Sequence, residues 1–175
     1  MVFWAVLIQI AAHPVFSPSE AGSLTLTRAI QFLEDRGILF EVAEYAHLEK
    51  GALFASRAIG MPAEQTVKTL VVELAGKGCL VVLMRGNKAI PLKKLARKCG
   101  ARRASIANPA TAERLTGYVV GGMSPFGTRQ SLRVMVDDAL LAYDKVAING
   151  GKRGLMLIMN PADIVRVTDA DPITL

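Results

Sequence analysis

The sequence predicts a single mixed α/β (α+β) domain in which helices flank one curved mixed β-sheet. The 175 residues are enough for one hydrophobic core, which would bury about 70% of the surface that the unfolded chain exposes. Strand-like and helix-like segments are interspersed along the chain without strict alternation. Because no internal repeat or low-complexity tract divides them, we expect one compact domain.

The first 23 residues form a segment that we expect to lie outside this domain. Residues 1–12 are apolar except for Gln9, but a helix that spans a bilayer takes roughly 20 residues. A signal peptide needs a basic start, and no Lys or Arg precedes Pro14. We interpret residues 1–23 as an N-terminal extension (an extra strand or an upstream start site) and its linker, with an export signal as the alternative. The domain is predicted over residues 24–175.

Capping residues and glycines predict the elements of the first half of the domain. Thr25 or Thr27 can cap a helix whose apolar residues recur at i, i+3, i+4 and i+7. Gly60 ends a second helix, and a glycine-containing turn joins two β-rich runs into a hairpin. The predicted elements are a helix that ends at Gly37, a strand over 38–45, a helix over 53–59, and hairpin strands over 66–74 and 79–85.

Proline and asparagine mark the helices of the second half. Pro91 suits the first position of a helix that ends at Gly100, and its buried stripe is Leu92, Leu95, Ala96 and Cys99. Asn-Pro pairs at 108–109 and 160–161 are typical of helix starts, where the asparagine side chain caps the first turn. Strands are predicted over residues 132–136, 145–148 and 155–159.

Positive charge is concentrated in one part of this basic chain, which has a formal net charge of +6 and a pI near 9.6. Between Glu73 and Glu113 there is no acidic residue, although many Lys and Arg residues lie there. This distribution favours a polyanion such as RNA phosphate, and the alternative is a solvated basic face. The outward-facing residues of the helix after Pro91 are the predicted RNA-binding set: Lys93, Lys94, Arg97 and Lys98.

The cysteines and histidines give no support for a metal site. Cys79 and Cys99 are not in C-x-x-C spacing, and we interpret both as small core residues in a reducing cytosol. His13 and His47 are the only histidines, and there is no H-E-x-x-H motif. We therefore predict a metal-independent protein without a cofactor.

Two glycine-rich loops, GGMSP at 121–125 and GGKRG at 150–154, each follow a β-like run and are predicted to form one site. Glycine lets main-chain N–H groups approach an anionic or carbonyl-bearing ligand closely. Lys68 lies in an otherwise apolar strand, which indicates that its charge serves the same ligand. A G-x-S-x-G nucleophile motif is absent because Phe126 replaces its second glycine, so we interpret Ser124 as a turn residue rather than a nucleophile.

Four segments in this order carry a family resemblance: VKTL at 67–70, LKKLA at 92–96, TGYVVGGMSPFG at 116–127 and NGGKRGL at 149–155. The chain resembles the YbaK/EbsC-type aminoacyl-tRNA deacylases, which include relatives of the editing domain of prolyl-tRNA synthetase. The resemblance begins near Leu24 and implies the fold of that domain. It also implies a cytosolic enzyme that hydrolyses mischarged aminoacyl-tRNA, Cys-tRNA(Pro) first and Ala-tRNA(Pro) second. The expected partners are tRNA, in particular tRNA(Pro), and prolyl-tRNA synthetase, with no membrane.

The resemblance assigns roles to residues in both loops and in two strands. Lys68, Gly121 and Gly122 are the expected catalytic residues, since main-chain N–H groups at the glycines can stabilise an oxyanion. The residues expected to bind substrate are Tyr45, Met123, Ser124, Asn149, Gly150, Gly151, Lys152, Arg153 and Met156. Asn149 and Met156 depart from the serine and aspartate common in the family. Two alternatives remain: a tRNA- or nucleotide-binding module that has lost catalysis, and a basic membrane-surface protein.

Overall fold

The structure, a computed structural model, describes residues 26–49 and 51–175. The predicted extension and linker, residues 1–23, lie outside the described residues. The elements in chain order are α1 (Arg28–Glu34), β1 (Glu41–Glu44), α2 (Ala52–Ile59), β2 (Val67–Leu74), β3 (Gly78–Arg85), α3 (Leu92–Lys98), β4 (Ala104–Ile106), α4 (Pro109–Thr116), β5 (Arg133–Asp137), the 3-10 helix η1 (Asp138–Ala142), β6 (Val146–Asn149), β7 (Leu155–Met159), α5 (Pro161–Thr168) and β8 (Asp171–Ile173).

The strands form two sheets. The larger has the order β4-β2-β3-β5-β8, with antiparallel pairs around β2 and parallel pairs around β5. The smaller is antiparallel, with the order β1-β7-β6. A single bridge between Thr66 and Ala147 joins the two. The mixed α/β class is therefore confirmed, and its strands divide between two sheets where one curved sheet was predicted.

Local signals placed most helices correctly. Thr27 caps α1 by accepting a hydrogen bond from Ile30 N at 3.1 Å. Asn108 and Asn160 cap α4 and α5 in the same way, each at 2.8 Å from a backbone N–H. In both helices the following proline occupies the first turn, where its missing N–H costs nothing. The three predicted caps are confirmed.

Four local predictions need correction. The first helix ends at Glu34, three residues before Gly37, and the strand after it is confined to Glu41–Glu44. Pro91 is the N-cap of α3 and not its first helical residue. The run before Gly121 is not a strand, because α4 ends at Gly117 in the left-handed conformation and the chain continues through turns with Val119 half exposed.

The two faces of β2 pack against different parts of the protein. Val67 and Val71 belong to the core cluster that contains α1 and α4, whereas Val72 and Leu74 pack with α3. Because side chains alternate along a strand, Thr69 shares the face of Val67 and Val71. Lys68 shares the α3 face. The candidate site nevertheless meets both faces at the first half of the strand, because it is lined by Lys68 and Leu70 as well as by Val67, Thr69 and Val71.

Candidate active site

A cavity of about 490 Å³ opens beside the first half of β2. Its wall is built from the segment after β1, α2, β2, the start of α4, the loop around Gly121, and the facing ends of β6 and β7. Most of the wall is apolar, with Ala55, Val67, Val71, Ala112 and Met156 among its residues. Cavities of this size and character, with a few polar groups in the wall, are typical of small-molecule sites.

Half of the predicted catalytic and substrate-binding residues line this cavity. They come from segments far apart in the sequence, so their convergence is a product of the fold. The six are Tyr45, Lys68, Gly121, Met123, Asn149 and Met156.

The remaining predicted residues do not line the cavity and belong to the two glycine-rich loops, which pack on each other. A Cβ atom on Gly122 would lie 2.9 Å from Arg153 N, and one on Gly151 would lie 2.8 Å from the Tyr118 ring. Both positions therefore need glycine because another segment is too close for a side chain. The loops do form one structural unit. The residues that do not line the cavity are Gly122, Ser124, Gly150, Gly151, Lys152 and Arg153.

Ser124 lies in the interior, with no exposed surface. Its Oγ accepts a hydrogen bond from Phe126 N at 3.4 Å, which is the local contact of a turn serine. It does not line the cavity. The geometry favours a structural role for this hydroxyl over the substrate-binding role that the resemblance implies.

The main-chain N–H groups of the Gly121 loop differ in whether they already donate a hydrogen bond within the protein. The Gly122 N–H already donates to Val119 O at 2.9 Å, so it is not available to a ligand. Within the described part of the chain, the N–H groups of Gly121 and Met123 have no acceptor, and both residues line the cavity. Gly121 has φ +89°, a conformation that favours glycine. An oxyanion would therefore meet Gly121 and Met123 rather than Gly122.

Asn149 holds the two loops together. Its Nδ2 donates to Gly121 O at 3.4 Å and to Lys152 O at 3.2 Å, while its Oδ1 accepts from Gly151 N at 2.8 Å. A serine hydroxyl has a single donor hydrogen and could not make all three contacts. Although Asn149 lines the cavity, both ends of its amide are engaged by backbone, so it positions the site rather than binding substrate directly.

Lys68 lines the cavity, and its ammonium group donates to the carbonyl of Lys88 in the turn after β3. Burial lowers the pKa of this ammonium from its usual value. An ammonium group carries three N–H donors, so the contact with Lys88 leaves donors for a ligand. Lys68 is thus placed where it can act on a substrate carbonyl while anchoring a neighbouring turn.

Tyr45 stands at the end of β1 with its ring between two aromatic neighbours. The ring centroids of Phe54 and His47 lie 6.0 Å and 6.3 Å from that of Tyr45, both in tilted arrangements. Burial raises the pKa of the Tyr45 hydroxyl, and a hydrogen bond with the Gly154 backbone partly opposes this. Tyr45 therefore remains a neutral phenol at physiological pH and can donate or accept in the cavity.

Two polar residues of the cavity wall were missed by the sequence reasoning. His47 follows Tyr45 by two positions, and both side chains line the cavity with their ring centroids 6.3 Å apart. Thr69 shares the face of Val67 and Val71, which also line the cavity. Thr69 could have been found from strand alternation with Val67 and Val71, but the conspicuous charge of its neighbour Lys68 drew the prediction to that residue.

The basic face of α3 lies apart from the cavity. Its stripe is buried as predicted at Leu95, Ala96 and Cys99, while Leu92 is half-buried. Lys93, Arg97 and Lys98 are exposed and Lys94 is half-buried; among the described residues none of the four forms a salt bridge. None lines the cavity. The structure presents them as an uncompensated positive surface.

In the described part of the chain, no three His, Cys, Asp or Glu side chains come close enough together to hold a metal ion. No helix within residues 26–49 and 51–175 combines the length and the apolar character needed to cross a membrane.

Comparisons with known proteins agree with this architecture. Residues 42–167 match the family model described as the aminoacyl-tRNA editing domain. A multifunctional Ser/Thr-tRNA deacylase of Escherichia coli, ProXp-y, is 30% identical over 154 residues, which are 86% of this chain and 92% of that protein. EbsC of Enterococcus faecalis, provisionally named a Cys-tRNA(Pro)/Cys-tRNA(Cys) deacylase, is 27% identical over 145 residues, 82% of this chain and 88% of that protein.

A solved structure of a related protein has a similar fold. A crystal structure provisionally described as a trans-editing enzyme for prolyl-tRNA synthetase superposes with a TM-score of 0.78 and 30% identity, covering 85% of this chain and 94% of the other. The family model spans the cavity wall from β1 to β7, including both glycine-rich loops. The chain belongs to the aminoacyl-tRNA editing domain family.

Proposed function

We propose that this chain hydrolyses the ester bond of mischarged aminoacyl-tRNA, with Cys-tRNA(Pro) as the first substrate to test and Ala-tRNA(Pro) as the second. Deacylase activity is the coarser part of the proposal and follows from the family and from relatives named as deacylases. The observation that carries it is the pair of unengaged N–H groups, at Gly121 and Met123, at the wall of an apolar cavity.

The two N–H groups supply the electrostatic part of the reaction. As a nucleophile attacks the ester carbonyl, negative charge develops on its oxygen, and each well-aimed donor stabilises that charge by roughly 3 kcal/mol. An aminoacyl ester is already activated relative to an amide, so positioning and oxyanion donors reduce the need for a protein nucleophile. This fits the interior, turn-forming position of Ser124.

The nucleophile in this proposal comes from outside the protein. For most aminoacyl groups it is water, which adds to the carbonyl carbon while the ribose oxygen leaves and takes up a proton. For cysteine, the resemblance implies that the substrate's own sulfur attacks, its proton passes to the leaving ribose oxygen, and a thiolactone is released. Lys68 is the group that we propose to polarise the carbonyl, because it lines the cavity and retains donors beyond its contact with Lys88.

The 3′ end of tRNA is proposed to lie along the Gly150 loop. Arg153 Nε donates to Val120 O at 2.9 Å, which fixes the guanidinium beside Gly121. Its remaining N–H groups can contact a phosphate in a bidentate manner. The basic face of α3 would then bind the more distant tRNA backbone, and prolyl-tRNA synthetase is a proposed partner that delivers the tRNA.

The apolar character of the cavity wall bears on the class of amino acid that it accepts. An apolar pocket rejects a smaller side chain poorly, which is why a second site that hydrolyses small aminoacyl groups is useful to a synthetase. Met156 gives the wall an apolar surface where an acid is common in the family. An uncharged side chain suits this wall, and the substrates in the relatives' names make a small one the proposed substrate class.

A deacylation panel tests the proposal. Purified chain would be mixed with Cys-, Ala-, Ser-, Thr- and Pro-tRNA(Pro), and release of the amino acid followed against tRNA alone. Release of at least one small amino acid, without release of proline, is the expected result. If the chain binds tRNA but releases none of them, it is a binding module that has lost catalysis. Binding to anionic vesicles and not to tRNA would instead favour a membrane-surface protein.

A further inference from the structure

The cavity wall contains polar atoms that the protein itself leaves without partners. Both ring nitrogens of His47 and the Oγ1 of Thr69 are buried, and no hydrogen-bond partner lies near them among the described residues. Both residues line the same cavity. They are the side chains with buried, unpartnered nitrogen or oxygen atoms in the described part of the chain.

Such atoms need an explanation because buried polar groups are almost always hydrogen-bonded. Leaving a donor or acceptor unsatisfied costs about 1–3 kcal/mol in protein mutational data. A residue that served only the core could have been valine in place of threonine, or phenylalanine in place of histidine, at no such cost. The clustering of the unpartnered atoms in one cavity indicates that a ligand group satisfies them.

The rest of the wall narrows the choice of that group. The Asn149 amide is engaged by backbone at both ends, and the N–H groups of Gly121 and Met123 are the ones proposed to bind the ester carbonyl. Ala55 and Met156 are apolar. His47 and Thr69 are therefore placed to contact a different part of the ligand, beyond the carbonyl.

We propose that His47 and Thr69 are specificity-determining residues that recognise a hydroxyl or thiol group on the Cβ atom of the aminoacyl group. This inference rests on the proposed function. A neutral imidazole offers one donor and one acceptor, and a threonine hydroxyl offers both. A substrate hydroxyl or thiol can likewise donate and accept, so it can pair with both residues at once.

Alanine is the substrate that this arrangement rejects. Its methyl group fits the cavity but would leave the buried His47 and Thr69 atoms unpaired. Sites built to hydrogen-bond a substrate group discriminate strongly against an analogue that lacks it, whereas apolar pockets do not. Cysteine, serine and threonine form the predicted class, with the thiol weaker than the hydroxyl because sulfur is a poor hydrogen-bonding partner.

The test compares substrates that share one tRNA. The full chain and its variants would be assayed for kcat/KM with Ser-, Thr-, Cys- and Ala-tRNA(Pro). Thr69→Val removes the hydroxyl and keeps the shape, and His47→Phe keeps a ring without nitrogen. Thr168→Val is the matched control, since Thr168 is a half-buried threonine whose hydroxyl donates within α5 and does not line the cavity.

Wild-type chain should prefer at least one hydroxyl or thiol substrate over Ala-tRNA. Thr69→Val and His47→Phe should each lower that preference by roughly tenfold, the order expected for one hydrogen bond, while Thr168→Val leaves it unchanged. A comparison of kcat/KM between Ser-tRNA(Pro) and Cys-tRNA(Pro) shows whether a hydroxyl or a thiol is favoured. Thr69→Val should also melt no lower than wild type, because it removes an unsatisfied hydroxyl from the interior.

Two results would overturn the inference while the proposed function stands. One is equal loss of activity on all substrates with the preference unchanged, which would make the two residues structural. The other is a wild-type chain that hydrolyses Ala-tRNA at least as fast as the other three. Release of no amino acid from any substrate would instead overturn the proposed function, and this inference with it.

Discussion

The cavity and the basic face of α3 differ in how their functional groups are held. In the cavity, hydrogen bonds hold the two glycine-rich loops in place, as Asn149 fixes the carbonyls of Gly121 and Lys152. On α3, Lys93, Arg97 and Lys98 extend from a packed helix into solvent. Chemistry depends on ångström-scale positions, whereas attraction to a polyanion depends on charge and tolerates movement. This difference supports the proposal that catalysis belongs to the cavity and tRNA affinity to α3.

The largest expected effect is from Gly121→Val, which should abolish deacylation. Gly121 has φ +89°, and a Cβ atom there would lie 3.3 Å from Arg153 Nε, so valine would displace the loop whose N–H groups face the carbonyl. Amino-acid release at saturating enzyme measures this. Gly76→Val is the matched control, because Gly76 has φ +77° with open space around it in the β2–β3 turn. Equal loss in both variants would mean that backbone strain alone is responsible.

Lys68→Met should lower turnover by at least about tenfold, equivalent to roughly 1.4 kcal/mol of transition-state stabilisation. Methionine keeps the apolar stem of the side chain and removes the ammonium group. The melting temperature should change little, since the contact with the Lys88 carbonyl is a single hydrogen bond. Full activity combined with a lower melting temperature would assign Lys68 to the turn after β3 and not to the reaction.

The sequence predicted elements that local signals mark and missed those that depend on distant contacts. The hairpin of β2 and β3 and the capped helices α4 and α5 were predicted because glycine, proline and asparagine act within a few residues. Strands β4 and β8 are three residues each and exist through pairing with distant strands, so no local signal marks them. The unpartnered state of Thr69 depends on the whole cavity and could not be inferred from the sequence.

In the glycine-rich loops, too, some features could be predicted from the sequence and others depend on the folded structure. Their packing into one unit was expected from composition and resemblance. The engagement of the Gly122 N–H by Val119 was not, because it depends on the turn that replaces the predicted strand. The threefold engagement of Asn149 could also not be inferred, since an isolated asparagine in a motif is equally consistent with a ligand contact.

Neutralising the α3 face should weaken tRNA binding without changing the chemical step. In a variant with alanine at Lys93, Lys94, Arg97 and Lys98, the slope of log binding constant against log salt concentration should flatten by about 0.7–0.9 for each phosphate that is no longer neutralised. Circular dichroism should be unchanged because the face is not part of the core. An unaltered slope would show that the cluster serves solubility alone.

The smallest effect concerns the ionisation of Lys68. Burial disfavours its charged form, so its pKa should lie below the ordinary lysine value of 10.5. A depressed lysine pKa means that the folded state binds the proton less tightly than the unfolded state. Its unfavourable contribution to stability is therefore present at lower pH and diminishes as pH rises toward the ordinary value. Titration of the Lys68 side-chain carbon by NMR measures this, and a pKa at or above 10.5 would contradict the burial.

The most direct test of the central claim is a single-turnover comparison at saturating enzyme on the best substrate of the panel. Under these conditions binding is complete, so the rate reports the chemical step. Gly121→Val is expected to lose the reaction, while the variant with four alanines on α3 is expected to retain the wild-type rate. A Gly121→Val chain that remains fully active, or an α3 variant that loses the chemical step, would contradict the assignment of catalysis to the cavity.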